Sequence, residues 1–179
     1  MAERDGLFQV SLMNVFRQAA RERDTKVRDD TATDGVGDWA GNPYASRMVE
    51  YTPYAVALGM KFMSSSAGRG EILLPWREDL VGDSSGGVLA SGPIISLMDM
   101  ASGMAIWQAS ATFNPVATLD LRVDYQRPAR AGASVRGRVE CYRRTRSAAF
   151  VRGIAYDDDP EDPVAHVAGV FMFIPGKSR

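Results

Sequence analysis

Cysteine and histidine are almost missing from this chain: Cys141 and His166 are the single examples of each among 179 residues. One thiol forms no intrachain disulfide, which fits a reducing compartment. One thiol and one imidazole also exclude a Cys/His structural zinc site, and they leave little for a Ser-His-Asp or Cys-His apparatus. His166 falls in VAHVAGVFMFI, which predicts a strand and a packed, structural histidine. An excess of one charge is lacking too. The 21 Lys and Arg nearly balance the 22 Asp and Glu, so there is no global basic field to draw nucleic acid or an anionic membrane. No apolar run approaches the length of a membrane span, and the start, MAERDGLFQVSLMNVFRQ, lacks the apolar segment and cleavage pattern of a secretory signal. The expectation is a cytoplasmic protein with no nucleic-acid partner, no membrane partner and no metal.

What the chain has instead is 45% hydrophobic content, enough for one globular domain with a core of ordinary size plus an appendage. The richest stretch is GGVLASGPIISLMDMASGMAIWQ, residues 86–108. Between Ile94 and Trp107 nearly every side chain is apolar or small, which predicts a helix buried on most of its circumference. Gly92-Pro93 suits its start and places that start near Pro93. At about 100° per residue, Gly92, Ser96, Asp99 and Gly103 fall within roughly 60° of one another. That face is narrow, short of bulk and carries one acid. A carboxylate among Leu97, Met98 and Met100 is costly to bury charged unless it is paired, so Asp99 is either a functional acid or a structural cap or pair. Gly103, one turn on, either leaves room for a ligand or lets the helix pack closely on a sheet.

Residues 6 to about 21 predict a short amphipathic helix, with Phe8, Leu12, Val15, Phe16 and Ala19 at helical spacing and Asp5 as N-cap. From 21 to 42 the chain is polar and aperiodic, a linker or arm in which Trp39 is a candidate anchor. Its Gly35, Gly37 and Gly41 have the wrong spacing for a dinucleotide fingerprint. A second short helix fits 52–59, with Pro53 early and Gly59 as its stop. Residues 60–76 alternate loosely, with Ile72, Leu74 and Trp76 on one side and a turn or bulge between Ser64 and Gly70. Residues 116–126 give the cleanest strand: Ala117, Leu119, Leu121, Val123 and Tyr125 face one way, Thr118, Asp120, Arg122, Asp124 and Gln126 the other. Further strands follow over 135–141, 148–156 and 164–174. The last is apolar on both faces, which places it inside the sheet. The fold class is therefore α+β, an antiparallel sheet wrapped around a buried helix. The expected division is an N-terminal helix and arm over 1–45 and the main domain over 46–176.

In this order and spacing, TPYAVALGMKF, VLASGPIISLMDMASG, LDLRVDYQRPARAG and HVAGVFMFI resemble the hotdog-fold acyl-CoA thioesterases of the phenylacetate-pathway (PaaI-like) type, over about residues 50–175. The resemblance implies a hotdog fold with an N-terminal helical extension. It implies hydrolysis of an acyl-CoA to free acid and CoA, with CoA as part of the substrate and no separate cofactor. Asp99 matches the family's catalytic acid, as general base or nucleophile. The family's V-L-H-G-G motif reads Ala90, Ser91 and Gly92 at its His-Gly-Gly, so the histidine that helps position the thioester is replaced by Ala90. The Ser91 amide matches the donor that polarises the thioester oxygen, aided by the helix dipole. Ser96, Ser102 and Gly103 are candidates for contacts with substrate or water. Arg127, Arg130, Arg143, Arg144 and Arg146 lie in or beside turns where relatives hold the CoA phosphates, anions that guanidinium suits. Relatives pair as homodimers, often as dimers of dimers, with sites between subunits. The alternative that Ala90 keeps open is a non-catalytic module that binds acyl-CoA or an acyl carrier.

Overall fold

The computed structural model describes residues 43–83, 85–110 and 115–174. The chain divides into two units, Met1–Asp38 and Trp39–Arg179, and these residues lie in the second. The helix expected over 6–21, the arm and Trp39 fall outside the described residues.

Two short helices come first, α1 (Pro43–Tyr51) and α2 (Pro53–Ala57). Pro53 opens α2 as its spacing predicts, and Gly59 at φ 71° ends the segment in the left-handed region that glycine enters without strain. The hairpin β1 (Lys61–Ser66) and β2 (Arg69–Leu74) follows, turning at Gly68 with φ 71°. After a 3-10 turn at Glu78–Leu80 comes the long helix α3 (Ser91–Gln108). The remaining strands are β3 (Val116–Tyr125), β4 (Val135–Arg144), β5 (Ala148–Tyr156) and β6 (Ala165–Phe173). All six strands form one sheet in the order β1-β2-β4-β5-β6-β3, with every neighbouring pair antiparallel. This is the hotdog arrangement of a sheet curled around one helix.

The core lies between α3 and the concave face of the sheet. Leu97, Met98, Ala101, Met104, Ala105 and Ile106 of α3 pack on Ile72, Leu74, Val135, Val139 and Val151, all essentially without solvent contact. Each such aliphatic side chain contributes about 1.5–3 kcal/mol by leaving water. The helix sits almost on the sheet backbone: a Cβ at Gly137 would come 2.9 Å from Met98 Sδ and 3.0 Å from Leu97 Cγ. Glycine there is a condition of the close approach.

Three expectations change. The helix begins at Ser91, not near Pro93, because Ala90 already takes the extended N-cap conformation and Pro93 is tolerated within the first turn. The β3 pairing slips between Thr118 and Asp120 opposite β6, a bulge that reverses the alternation. Leu119, expected in the core, is therefore 58% exposed, and Thr118 joins the face that looks at α3. β6 does lie inside the sheet, but His166 is exposed on its outer side instead of packed.

Candidate functional site

The approach to α3 is tied down before the helix starts. Gly87, at φ 62°, presents its carbonyl to the Trp76 indole N–H at 2.8 Å and to the Gly132 amide at 2.9 Å. The Ala90 amide donates to the Leu80 carbonyl at 2.9 Å, and the Gly82 amide donates to the Val88 carbonyl at 2.9 Å. Ala90 has no side-chain oxygen with which to cap the helix. Pro93 lacks an amide hydrogen, so Ser91 and Gly92 supply the N–H groups of the first turn that have no intrahelical acceptor. Both residues are exposed. The positive end of the helix dipole is thus presented through these two amides. At this end the Tyr125 hydroxyl, from the last residue of β3, donates to the Ser91 carbonyl at 3.2 Å. Partial burial raises the Tyr125 phenol above its ordinary pKa.

Asp99 lies roughly two turns further along α3, half-buried. Its Oδ1 accepts a hydrogen bond from Thr118 Oγ1 at 2.7 Å. Among the described residues no donor or cation meets Oδ2. Thr118 is the partner of Asp99 that sequence alternation misses, because without the bulge it points away from the helix. No local pattern signals the bulge.

The other candidates are distributed as follows. Ser96 Oγ donates back to the Gly92 carbonyl at 3.0 Å. Ser102 is 0% exposed and its hydroxyl donates to the Met98 carbonyl at 2.7 Å, the usual resting partner of a helix serine. A Cβ at Gly103 would meet the Met48 methyl of α1 at 3.5 Å, so the space beside this glycine is filled by α1. The arginines fall into two groups at opposite ends of β4, about 30 Å apart at roughly 3.3 Å per residue. Arg127 is held by Asp157 at 2.7 Å, by Asp162 at 2.9 Å and by the Asp162 and Pro128 carbonyls. Arg130 pairs with Asp158 at 2.9 Å. At the other end Arg144 donates to the Ala109 carbonyl at the α3 C-cap, where a cation favours the dipole. Arg143 lies over the Phe150 ring, and Arg146 is exposed in the β4–β5 turn. The fold thus brings Ser91, Gly92, Asp99 and Ser96 onto one helix and disperses the arginines.

Among the described residues no group of three or more His, Cys, Asp or Glu is placed to hold a metal ion, and no helix is long and apolar enough to cross a membrane. Residues 86–164 match the family model described as the thioesterase superfamily. A solved protein from Pseudomonas aeruginosa is 36% identical, with a TM-score of 0.67 over 74% of this chain and 98% of its own. A mutant of the phenylacetic acid degradation protein PaaI from Thermus thermophilus is 27% identical, with a TM-score of 0.60 over 69% of this chain and 100% of its own. The E. coli PaaI protein from the phenylacetic acid degradation operon is 19% identical, with a TM-score of 0.65 over 74% and 91%, and shares the fold. Among curated proteins none matches this chain.

Proposed function

The chain belongs to the thioesterase superfamily, and from that premise we propose that it hydrolyses an acyl-CoA thioester to the free acid and CoA. The observation that carries the reading is the Thr118–Asp99 contact: one carboxylate oxygen is held, and among the described residues no donor or cation meets the other. Oδ2 of Asp99 takes the proton of a water that attacks the thioester carbonyl carbon, or itself makes that attack and yields an anhydride that water then opens. Negative charge gathers on the carbonyl oxygen, where the Ser91 N–H and the start of α3 stabilise it. The C–S bond breaks, and CoA leaves as the thiolate and is protonated.

Ser91 and Asp99 of one chain lie about 12 Å apart along α3, at about 1.5 Å per residue, too far to serve one carbonyl. The reading therefore places the amide of one copy opposite the acid of a second. The outer edge of β3, which meets no further strand among the described residues, supports this assembly, with Leu119 58%, Tyr125 42% and Ile95 41% exposed along it and on the neighbouring helix face.

The test is free-thiol release from short, medium, long and aryl acyl-CoAs by the wild type and by Asp99→Asn. Turnover that drops by about 10²–10⁴ in the variant supports the hydrolase, and the panel names the acyl class. Ala90, standing where relatives carry histidine, favours a second reading, a module that binds acyl-CoA without turning it over. Binding by calorimetry with no thiol release from any ester would establish that reading in place of the first.

A further inference from the structure

The face of the sheet turned away from α3 is not used by the reaction above, yet it is built. Strand register sets Arg69, Glu140, Arg152 and Ala168 side by side in one row. Glu71, Arg138, Ile154 and His166 form the next. Each carboxylate is shared by two guanidiniums: Glu140 by Arg69 at 3.5 Å and Arg152 at 2.5 Å, Glu71 by Arg138 at 3.1 Å and Arg136 at 3.7 Å. Two positive charges are left over within this cluster. Asp124, opposite His166, is engaged by Arg122 at 2.9 Å.

Between the rows lies a hollow of about 360 Å³, rimmed by Arg69, Arg138, Glu140, Arg152 and His166 and floored by Ile154. That volume falls in the range of small-molecule sites, about 300–1,000 Å³. Arg152 gives Nε to Glu140 and lies over the Tyr142 ring at 5.4 Å; among the described residues its terminal nitrogens make no hydrogen bond, and its side chain is 68% exposed. Ile154 gives an apolar surface in the middle of a basic rim, the pairing that a ligand with one anionic and one organic part requires. A phosphate monoester carries about −1.5 to −2 charges at neutral pH, opposite in sign to the net charge of the arginines and carboxylates around the hollow. Guanidinium presents paired donors to its oxygens.

We propose that this hollow is a binding site for a small, soluble organic phosphate monoester, separate from the cleft at Asp99. AMP is the probe, titrated by calorimetry into the full chain, with adenosine as the neutral control and with vesicles of phosphatidic acid carrying the same phosphate on a lipid. The expected result is that AMP binds and adenosine does not. Raising salt from 50 to 200 mM should weaken the complex. Arg152→Gln should weaken it about tenfold, as loss of a charge-assisted contact does. Ile154→Glu, which puts a carboxylate on the floor, should abolish it. Asp99→Asn should bind AMP as the wild type does, so failure here and failure of the thioesterase reading are read separately. Three results would each overturn the proposal: AMP binding no better than adenosine; Arg152→Gln and a folded Ile154→Glu both binding like the wild type; or AMP competing with acyl-CoA in turnover. Binding of the vesicles without binding of AMP would likewise replace it with a membrane contact.

Discussion

Thr118 and Asp99 lie on different elements, and their hydroxyl–carboxylate contact fixes the direction in which the open oxygen points. A hydrogen bond to a charged group is worth about 1.5–3 kcal/mol, so its loss in Thr118→Val should cost about 10–100-fold in kcat, with KM little changed. Thr118→Ser, which keeps the donor, should restore most of the rate. Equal activity in Thr118→Val and the wild type would remove Thr118 from the site. Asp99 stands out in the sequence as the one acid inside a run of apolar helix positions, which leaves a functional acid and a structural pair both open. Thr118 does not stand out, since strict alternation assigns it to the opposite face and one inserted residue corrects the assignment. Gly103 leaves ligand space and close packing both open in the sequence; the Met48 methyl occupies the neighbouring volume, and α1, which supplies it, falls just after the polar arm, where the sequence pattern marks no element.

At the scale of elements, the β3–β4 and β5–β6 turns are locked together by Arg127 and Asp157. The Asp157 side chain is 0% exposed, and it also accepts from the Arg130 amide at 2.8 Å. The Arg127 hydrogen bond, against the opposing effect of burial, holds the Asp157 carboxyl well below the usual carboxylate range. A folded-state pKa below the unfolded value of about 3.9 gives stability that is complete above roughly pH 5 and drains away as pH falls toward the folded value. The melting temperature of the wild type should therefore drop steeply below about pH 4. Asp157→Asn should melt lower at pH 7, by about 6–12 °C if breaking the pair costs about 3 kcal/mol, and should show a shallower acid slope. Parallel curves for the two proteins would contradict this role. The resemblance assigns Arg127 to phosphate binding, and nothing local speaks against it, because the residues that claim its guanidinium lie some 30 positions downstream in DDDPEDP. The sheet order itself was only partly readable: periodicity located the strands and showed that the last is interior, but strand pairing is a long-range choice that period-two patterns leave open.

For the whole molecule, the distance along α3 turns a statement about one helix into one about assembly. If each site joins the Ser91 amide of one copy to Asp99 of another, two differently damaged chains should repair each other. Ser91→Pro deletes the amide hydrogen with little harm to the helix, since proline suits the first helical position and Ala90 already holds the extended backbone, φ −63° and ψ 155°, that a following proline demands. Asp99→Asn deletes the acid. Each variant alone should be inactive. Co-expressed and allowed to pair at random, they should form mixed dimers with one doubly damaged site and one intact site, and recover about a quarter of wild-type thiol release. Purified homodimers mixed without exchange should stay silent. A mixture no more active than its parts, despite mixed dimers verified by differently tagged subunits, would put acid and amide in the same chain and would require α3 to bend or the substrate to reach both from within one protomer.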